Sequence, residues 1–378
     1  MTITPPPKRF RVLLVGGGVA SLEAALALSD LAGEHVSLTL LSPSTEFVYR
    51  PMTVREPFGY ARAQRLDLSE IAADTGGELV SDALERVDPE HRLVHTAGGL
   101  QLPYDALLVG IGARIAARYE HAVTIDDGRL DELLHGLIQD VEEGYVKRLA
   151  LIVPATITWP LPIYELALMT AGRAEDMNVE LATTILTPED SPLAIFGEGA
   201  SRAVSEILAR RGVTVITSAY SEVPSTGKIE ITPGDRRLEV DRVIAMPALH
   251  GPRVKGLPAD PDGFIPVDEF SRVRGAERVY AAGDATNFAI KFGGIAAQHA
   301  DAAAQSIAAL AGVALQPQPF HPVIDGLLLT GDKPLHLRAD VTGGHGAQSN
   351  PVELAEGPPP PKIAARYLSP YLQSRARP

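Results

Sequence analysis

A strand–helix–strand unit occurs twice in this chain at a nearly constant offset. In the first copy, Phe10–Val15 reads as a buried strand that runs into Gly16-Gly17-Gly18-Val19-Ala20-Ser21. A helix follows with Leu22, Ala25, Leu26 and Leu28 turned inward, and then a second strand, Val36–Leu41, stops at Ser42-Pro43. The second copy has a strand at Arg148–Val153, a helix at Pro160–Ala171 and a strand at Val179–Leu186 ending in Thr187-Pro188-Glu189. Polar hairpins extend the match: Arg92–Leu102 precedes Tyr104–Val109, and Lys228–Val240 precedes Asp241–Ala245. Val15 to Val153 is 138 positions and Asp105 to Asp241 is 136. Two copies of one nucleotide-binding half, joined in tandem, account for this spacing, whereas two repeats are too few for a solenoid.

Composition narrows the chemistry. A chain of 378 residues should form two or three domains. Its 34 basic and 47 acidic side chains give a net charge of -13, which disfavours nucleic acid as a partner and repels anionic lipid. The cysteine count is 0, so disulfides, thiolate nucleophiles, iron–sulfur clusters and thiolate zinc sites are all excluded, and any redox chemistry must sit on a bound cofactor. The first apolar run, Val12–Val15, is too short for a signal-peptide core, and no stretch approaches the roughly 18 apolar residues of a membrane span. The expectation is a cytoplasmic protein, with peripheral membrane contact left open. The histidines show no metal spacing: His91 and His95 fall in a hairpin, so no metal site is expected. Hydrolase motifs are absent.

Gly16-x-Gly18-x-x-Ser21 lies between a buried strand and a helix, the setting in which a glycine pattern cradles a pyrophosphate. Gly16 permits the turn and Gly18 lets the backbone approach the phosphates. The amides of Val19, Ala20 and Ser21 then open the helix toward negative charge. Ser21 replaces the usual third glycine. No carboxylate ends the second strand; Ser42 or Ser44 stands where a ribose would be held.

Val279-Tyr-Ala-Ala-Gly283-Asp284 is a second signal. With this strand–Gly–Asp turn the chain resembles the two-dinucleotide-domain flavoproteins, the superfamily of pyridine-nucleotide disulfide reductases, type II NADH dehydrogenases and sulfide:quinone oxidoreductases. The resemblance implies that Gly283 and Asp284 hold the FAD ribityl chain and phosphate. Asp105-Ala-Leu-Leu-Val-Gly110-Ile-Gly112-Ala113 is similar to the segment that leaves the FAD domain beside the cofactor, which places Gly112 at the site. Phe47-Val-Tyr-Arg50-Pro51 and Pro160-Leu-Pro162-Ile-Tyr164-Glu165 look most like the sulfide:quinone branch. The match runs from Phe10 to Ala311. It implies an α/β fold of tandem Rossmann-like domains with short hairpin insertions and a C-terminal arm. The FAD domain is expected in two parts, 1–118 and 247–314, around a second dinucleotide-type domain, 119–246, with the arm over 315–378.

The second glycine turn is missing. Val153 is followed by Pro154-Ala-Thr-Ile-Thr158-Trp159-Pro160, whose prolines remove amide donors and whose β-branched residues block the backbone. NADH therefore stays open as a second cofactor, although Glu189 stands where a ribose 2′-hydroxyl would need an acceptor. Thr158 and Trp159 occupy the loop in which sulfide:quinone enzymes carry a cysteine. Trp159 is placed either against the flavin or substrate or in the core. Glu165 matches a carboxylate near the reaction side of the flavin. Lys291 and the helix opening at Gly293-Gly294-Ile295 are expected at the flavin's pyrimidine edge, with Gln298 donating to a carbonyl there. Toward the end, Pro317–Pro322 and Val341–Pro361 read as mobile or extended, and Lys362–Leu372 as a short helix limited by Pro370. Its Ile363, Tyr367 and Tyr371 are candidates to cover a quinone, touch a membrane, pair two copies of the chain or clamp the fold. The resulting expectation is an FAD-dependent oxidoreductase that passes two electrons from a small donor, NADH among the candidates, to a quinone or similar acceptor. The alternative is an FAD-binding electron-transfer or interaction flavoprotein without efficient NAD(P)H turnover.

Overall fold

The computed structural model describes residues 9–60, 62–155, 159–342, 346–349, 353–354 and 361–376. Met1–Lys8 and Thr158 lie outside them, as does most of Val341–Pro361.

Two parallel five-stranded sheets repeat one plan. The first runs, in spatial order, Val279–Ala281, Ala106–Val109, Phe10–Val15, Val36–Ser42 and Glu78–Ser81. The second runs Val123–Thr124, Arg242–Ala245, Arg148–Ile152, Ala182–Leu186 and Thr214–Ile216. Val15 lies between Val109 and Leu41, just as Ile152 lies between Ala245 and Leu186. Each repeat therefore centres on its own first strand. Uninterrupted aliphatic runs suit these strands because both faces are covered: helices pack on one, and the hairpin of each repeat packs on the other. There Leu13 and Val15 meet Val87 and Val94, and Ala150 and Ile152 meet Ile229 and Ile231, so Val12–Val15 and Leu149–Ile152 are all buried. Each polar hairpin expected from sequence forms a three-stranded antiparallel sheet, Leu84–Pro103 and Tyr220–Glu239. The chain leaves the first sheet after Val109 and returns to it at Val279; on the way out and back, Arg114–Ala116 pairs antiparallel with Ala248–His250.

The helices are α1 (Val19–Ala32), α2 (Leu68–Asp74), α3 (Leu130–Glu142), α4 (Leu161–Asp176), α5 (Glu198–Arg210), α6 (Gly293–Leu310) and α7 (Leu368–Arg375). Alanines bring α1 and α6 close: Ala20, Ala24 and Ala27 share a core with Ala297, Ala300 and Ala304. Small side chains on both helices set the backbones near each other over the glycine turn.

The region read as an arm carries structure of its own. Val323–Leu328 and Leu335–Thr342 form an antiparallel pair, extended by Gly346–Ser349 and Glu353–Leu354. Ile324, Leu328, Leu335 and Leu337 are buried in the same core as α4, so burial of their apolar face outweighs the Pro- and Gly-rich surroundings. The last helix also differs from expectation. It starts at Leu368, and Pro370 sits in its first turn, where a missing amide donor costs nothing. Among the described residues, no helix is long and apolar enough to cross a membrane.

Candidate functional site

The glycine turn is shaped by contact as well as by conformation. Gly16 has φ +118°, and a Cβ there would stand 2.3 Å from the Gly110 carbonyl oxygen. The Gly110 amide in turn donates to the Val15 carbonyl at 2.7 Å. Gly16 and Gly110 thus seal two strand ends together. Gly18 caps α1 without a side-chain hydrogen bond, and nothing lies within 4 Å of the position its Cβ would take. The opening amides of α1 therefore look onto free space. Ser21 is buried, and its hydroxyl donates to the Val15 carbonyl at 3.3 Å, which ties helix to strand where a glycine is usual. Ser42 is buried beneath Gly17 and accepts from the Ser44 amide at 3.1 Å, so of the two serines at this strand end the exposed one is Ser44.

The acidic turn meets this cradle. A Cβ on Gly283 (φ +73°) would lie 3.0 Å from Ala296 and 3.6 Å from Ala20, the first turns of α6 and α1. Among the described residues no group donates to the Asp284 carboxylate. Burial pushes that carboxyl up, while Lys291 and Arg50 pull it back. Lys291 is turned inward, donating to the Thr286 carbonyl and, at 3.4 Å, to the Asp284 carbonyl, with the Phe264 ring 4.0 Å away. Burial brings its ammonium down to about 8. Gly112, at φ +74° with open space around it, follows Gly110 on the same side.

One residue here was missed in the sequence. Asp127, just before α3, has an open carboxylate that protein nevertheless surrounds closely enough to push it up to about 6. Arg50 and Lys362 oppose that shift, while Asp126 and Asp284 add to it. Arg50 opens the 3-10 helix Arg50–Phe58, with Pro51 at a position where no amide is needed. Only an Asp-Asp-Gly turn ahead of a helix could have marked Asp127, and such turns are common on surfaces.

Several expected contacts are taken by the protein itself. Trp159 stacks on Phe292, with centroids 4.0 Å apart and planes 9° apart, and leans on Phe196 at 5.5 Å. It is half-buried against the core, and Gly326 makes room for it: a Cβ there would stand 3.3 Å from the indole. Gly293 and Gly294 are explained by close packing, since a Cβ would meet Ile363 or the Phe292 ring at 2.5 Å, and Ile295 is buried. Gln298 does not reach for a cofactor carbonyl. Its amide nitrogen donates to the Val323 carbonyl at 2.8 Å and its oxygen accepts from the Val323 amide at 2.9 Å, stitching α6 to the C-terminal sheet. Glu189 is likewise committed, accepting from Tyr164 at 2.8 Å, Thr187 at 2.9 Å and the Ala194 amide at 3.2 Å. It has little left for a ribose.

Glu165 is buried in α4. It accepts from Lys362 Nζ at 2.6 Å through each oxygen and from the Leu329 amide at 2.8 Å. Burial drives its carboxyl up and the Lys362 ammonium down, and their mutual attraction opposes both shifts. Lys362 also faces a cavity of about 720 Å³ walled by Tyr49, Met52, Met169, Leu327, Leu329 and Leu372. Tyr49 is fixed there because its hydroxyl accepts from the Ile363 amide at 2.9 Å.

Tandem parallel sheets, with the glycine turn and the acidic turn brought together where α1 and α6 touch, give a two-dinucleotide-domain fold. In sequence and in fold the chain fits the pyridine nucleotide-disulphide oxidoreductase superfamily, whose family model matches residues 165–306. It is 26% identical over 330 residues to an alternative NAD(P)H-ubiquinone oxidoreductase of Arabidopsis thaliana, covering 75% of this chain and 62% of that protein's length. It is 24% identical over 295 residues to an NADH dehydrogenase-like protein of Mycobacterium tuberculosis, covering 72% of each. Among solved structures, the sulfide:quinone oxidoreductase of Aquifex aeolicus superposes with a TM-score of 0.80 at 19% identity, over 88% of this chain and 84% of the other. The Plasmodium falciparum NDH2 gives 0.60 at 14%, over 74% and 64%. These structural likenesses establish the fold.

Proposed function

We propose that the protein is an FAD-dependent oxidoreductase that moves two electrons from a small donor, NADH among those to test, to a quinone or similar acceptor. The reading rests on one observation: the free space before Gly18 and the unpartnered Asp284 carboxylate meet at the α1–α6 contact. The amides of Val19 and Ala20 would face the diphosphate, and Asp284 would accept from the ribityl hydroxyls. Bound FAD would supply the two-electron carrier that a chain without cysteine lacks. Lys362, on the cavity wall, can donate to an acceptor oxygen while Glu165 fixes its position. The relatives, an NAD(P)H-ubiquinone oxidoreductase and an NADH dehydrogenase-like protein, support donors and acceptors of this kind. A cytoplasmic placement with peripheral membrane contact, and a homodimer, belong to the same reading.

A specific observation favours a second reading. Trp159 fills the place of a nucleotide turn and Glu189 is occupied, which suits a flavoprotein that exchanges electrons with a protein partner and does not turn over NAD(P)H efficiently. One experiment decides. The purified protein should show a flavin spectrum, and anaerobic mixing with NADH, NADPH and sulfide in turn should bleach it with at least one of them. Bleaching by NADH within seconds supports the enzyme; indifference to all three favours the second reading. A colourless protein that cannot be loaded with FAD overturns both.

A further inference from the structure

The cavity beside Lys362 holds positive charge that a neutral ring does not require. Arg55 stands half-buried on its wall and Arg62 at its exposed edge. Among the described residues neither guanidinium has a hydrogen-bonding or ion-pairing partner. Nearby carboxylates are engaged elsewhere. Glu56 accepts from the Ala63 amide at 2.8 Å and faces Arg65, Asp74 takes Tyr371 and Arg375, and Glu165 takes Lys362. Asp332 also lines the cavity, but among the described residues it makes no ion pair or hydrogen bond with Arg55.

A half-buried guanidinium loses hydration and regains it only by pairing, and among the described residues Arg55 has no such pair, so an anionic occupant of the cavity would supply it. The remaining wall is apolar and aromatic, with Met52, Met169, Leu329 and Tyr49 around a space suited to a flat ring. We propose that this cavity binds a planar aromatic anion, a quinone or related ring carrying an ionised acidic substituent, with Arg55 gripping the acidic group through two parallel hydrogen bonds and Arg62 at the entrance. The proposal rests on reading the cavity as the acceptor site and adds to it the charge of the occupant.

Calorimetric titration of the full chain, as purified, with naphthalene-2-sulfonate and with naphthalene-2-sulfonamide tests this, because the two ligands differ in charge and hardly in shape. The sulfonate should bind about tenfold or more tightly, at one site per chain, and Arg55→Gln should remove the preference while Arg55→Lys keeps part of it. Should Arg55→Gln not fold, Arg62→Gln at the exposed edge is measured in its place, with a reduced preference expected. Equal affinities, several sites per chain, or a preference untouched by these substitutions would overturn the proposal. No donor or turnover is involved. A sulfonate preference in a protein that reduces no quinone therefore sinks the functional reading alone, and quinone reduction without the preference sinks the charge assignment alone.

Discussion

Glu165 and Lys362 lie 197 positions apart and form a buried ion pair in which both carboxylate oxygens take the ammonium at 2.6 Å. The pair fastens the C-terminal segment to α4 and sets one wall of the cavity. Removing one charge strands the other in the interior, at a cost of about 3–5 kcal/mol, whereas removing both can be nearly neutral. Lys362→Met should therefore lower stability by that amount, and Glu165→Leu added to it should restore most of the loss. Urea denaturation of the two variants and the parent checks the ordering; a double variant no better than the single one would contradict it.

Gly16 and Gly18 should respond differently to the same substitution. At Gly16 an added methyl meets the Gly110 backbone at 2.3 Å with φ at +118°, so Gly16→Ala should destabilise by about 1–3 kcal/mol or more. At Gly18 the space is empty and the backbone extended, so Gly18→Ala should change stability by less than about 0.5 kcal/mol. It should still weaken FAD binding tenfold or more, because the methyl occupies the phosphate's approach. Thermal melts with a flavin-fluorescence titration separate the two effects.

Trp159 should behave as a core residue. Its stack on Phe292 and contact with Phe196 predict a loss of about 3–5 kcal/mol for Trp159→Ala and a much smaller one for Trp159→Phe. If the indole instead served the reaction, Trp159→Ala would slow turnover with stability unchanged. Denaturant midpoints beside flavin reduction rates distinguish the cases.

Glu23 in α1 caps the last helix from across the molecule: its carboxylate accepts from the Tyr367 amide at 2.9 Å and the Leu368 amide at 2.6 Å. Asp301 in α6 lies against it, and burial together with the Glu23 charge pushes Asp301 up to about 8. The folded protein then holds a proton that the unfolded chain releases above about pH 4. This contribution is complete below that pH and is lost as pH rises through about 8. Melting temperature should fall across that window, and Asp301→Asn should flatten the slope. A parent protein whose melting temperature is flat from pH 5 to pH 8 would count against the raised Asp301 carboxyl.

What could be read in the sequence was local. Phe10–Val15, the glycine turn and the Gly283-Asp284 turn declare themselves through short runs whose chemistry needs no partner. The side chains given catalytic or cofactor roles were harder, because their partners are remote. Trp159 meets Phe292, Gln298 meets Val323, and Glu165 meets a lysine in a segment that reads as a tail. The strands Val323–Leu328 and Leu335–Thr342 went unseen because an interrupted apolar run between prolines signals a loop until a core is known to receive it. Asp127 and the cavity wall are assembled by packing alone, since α3 lies against the 3-10 helix that carries Arg50 and Arg55.

The strand order of the first sheet carries a consequence for synthesis. Val279–Ala281 pairs beside Ala106–Val109, and Glu23 waits for amides at positions 367 and 368. The amino-terminal half thus emerges from the ribosome long before its edge strand and its final cap exist. It must stay soluble and partly open while the inserted half is made, and the cap on Glu23 closes only once residues 367 and 368 are free. A chain truncated before Tyr367 would leave the buried Glu23 carboxylate uncovered, a natural mark for proteolysis.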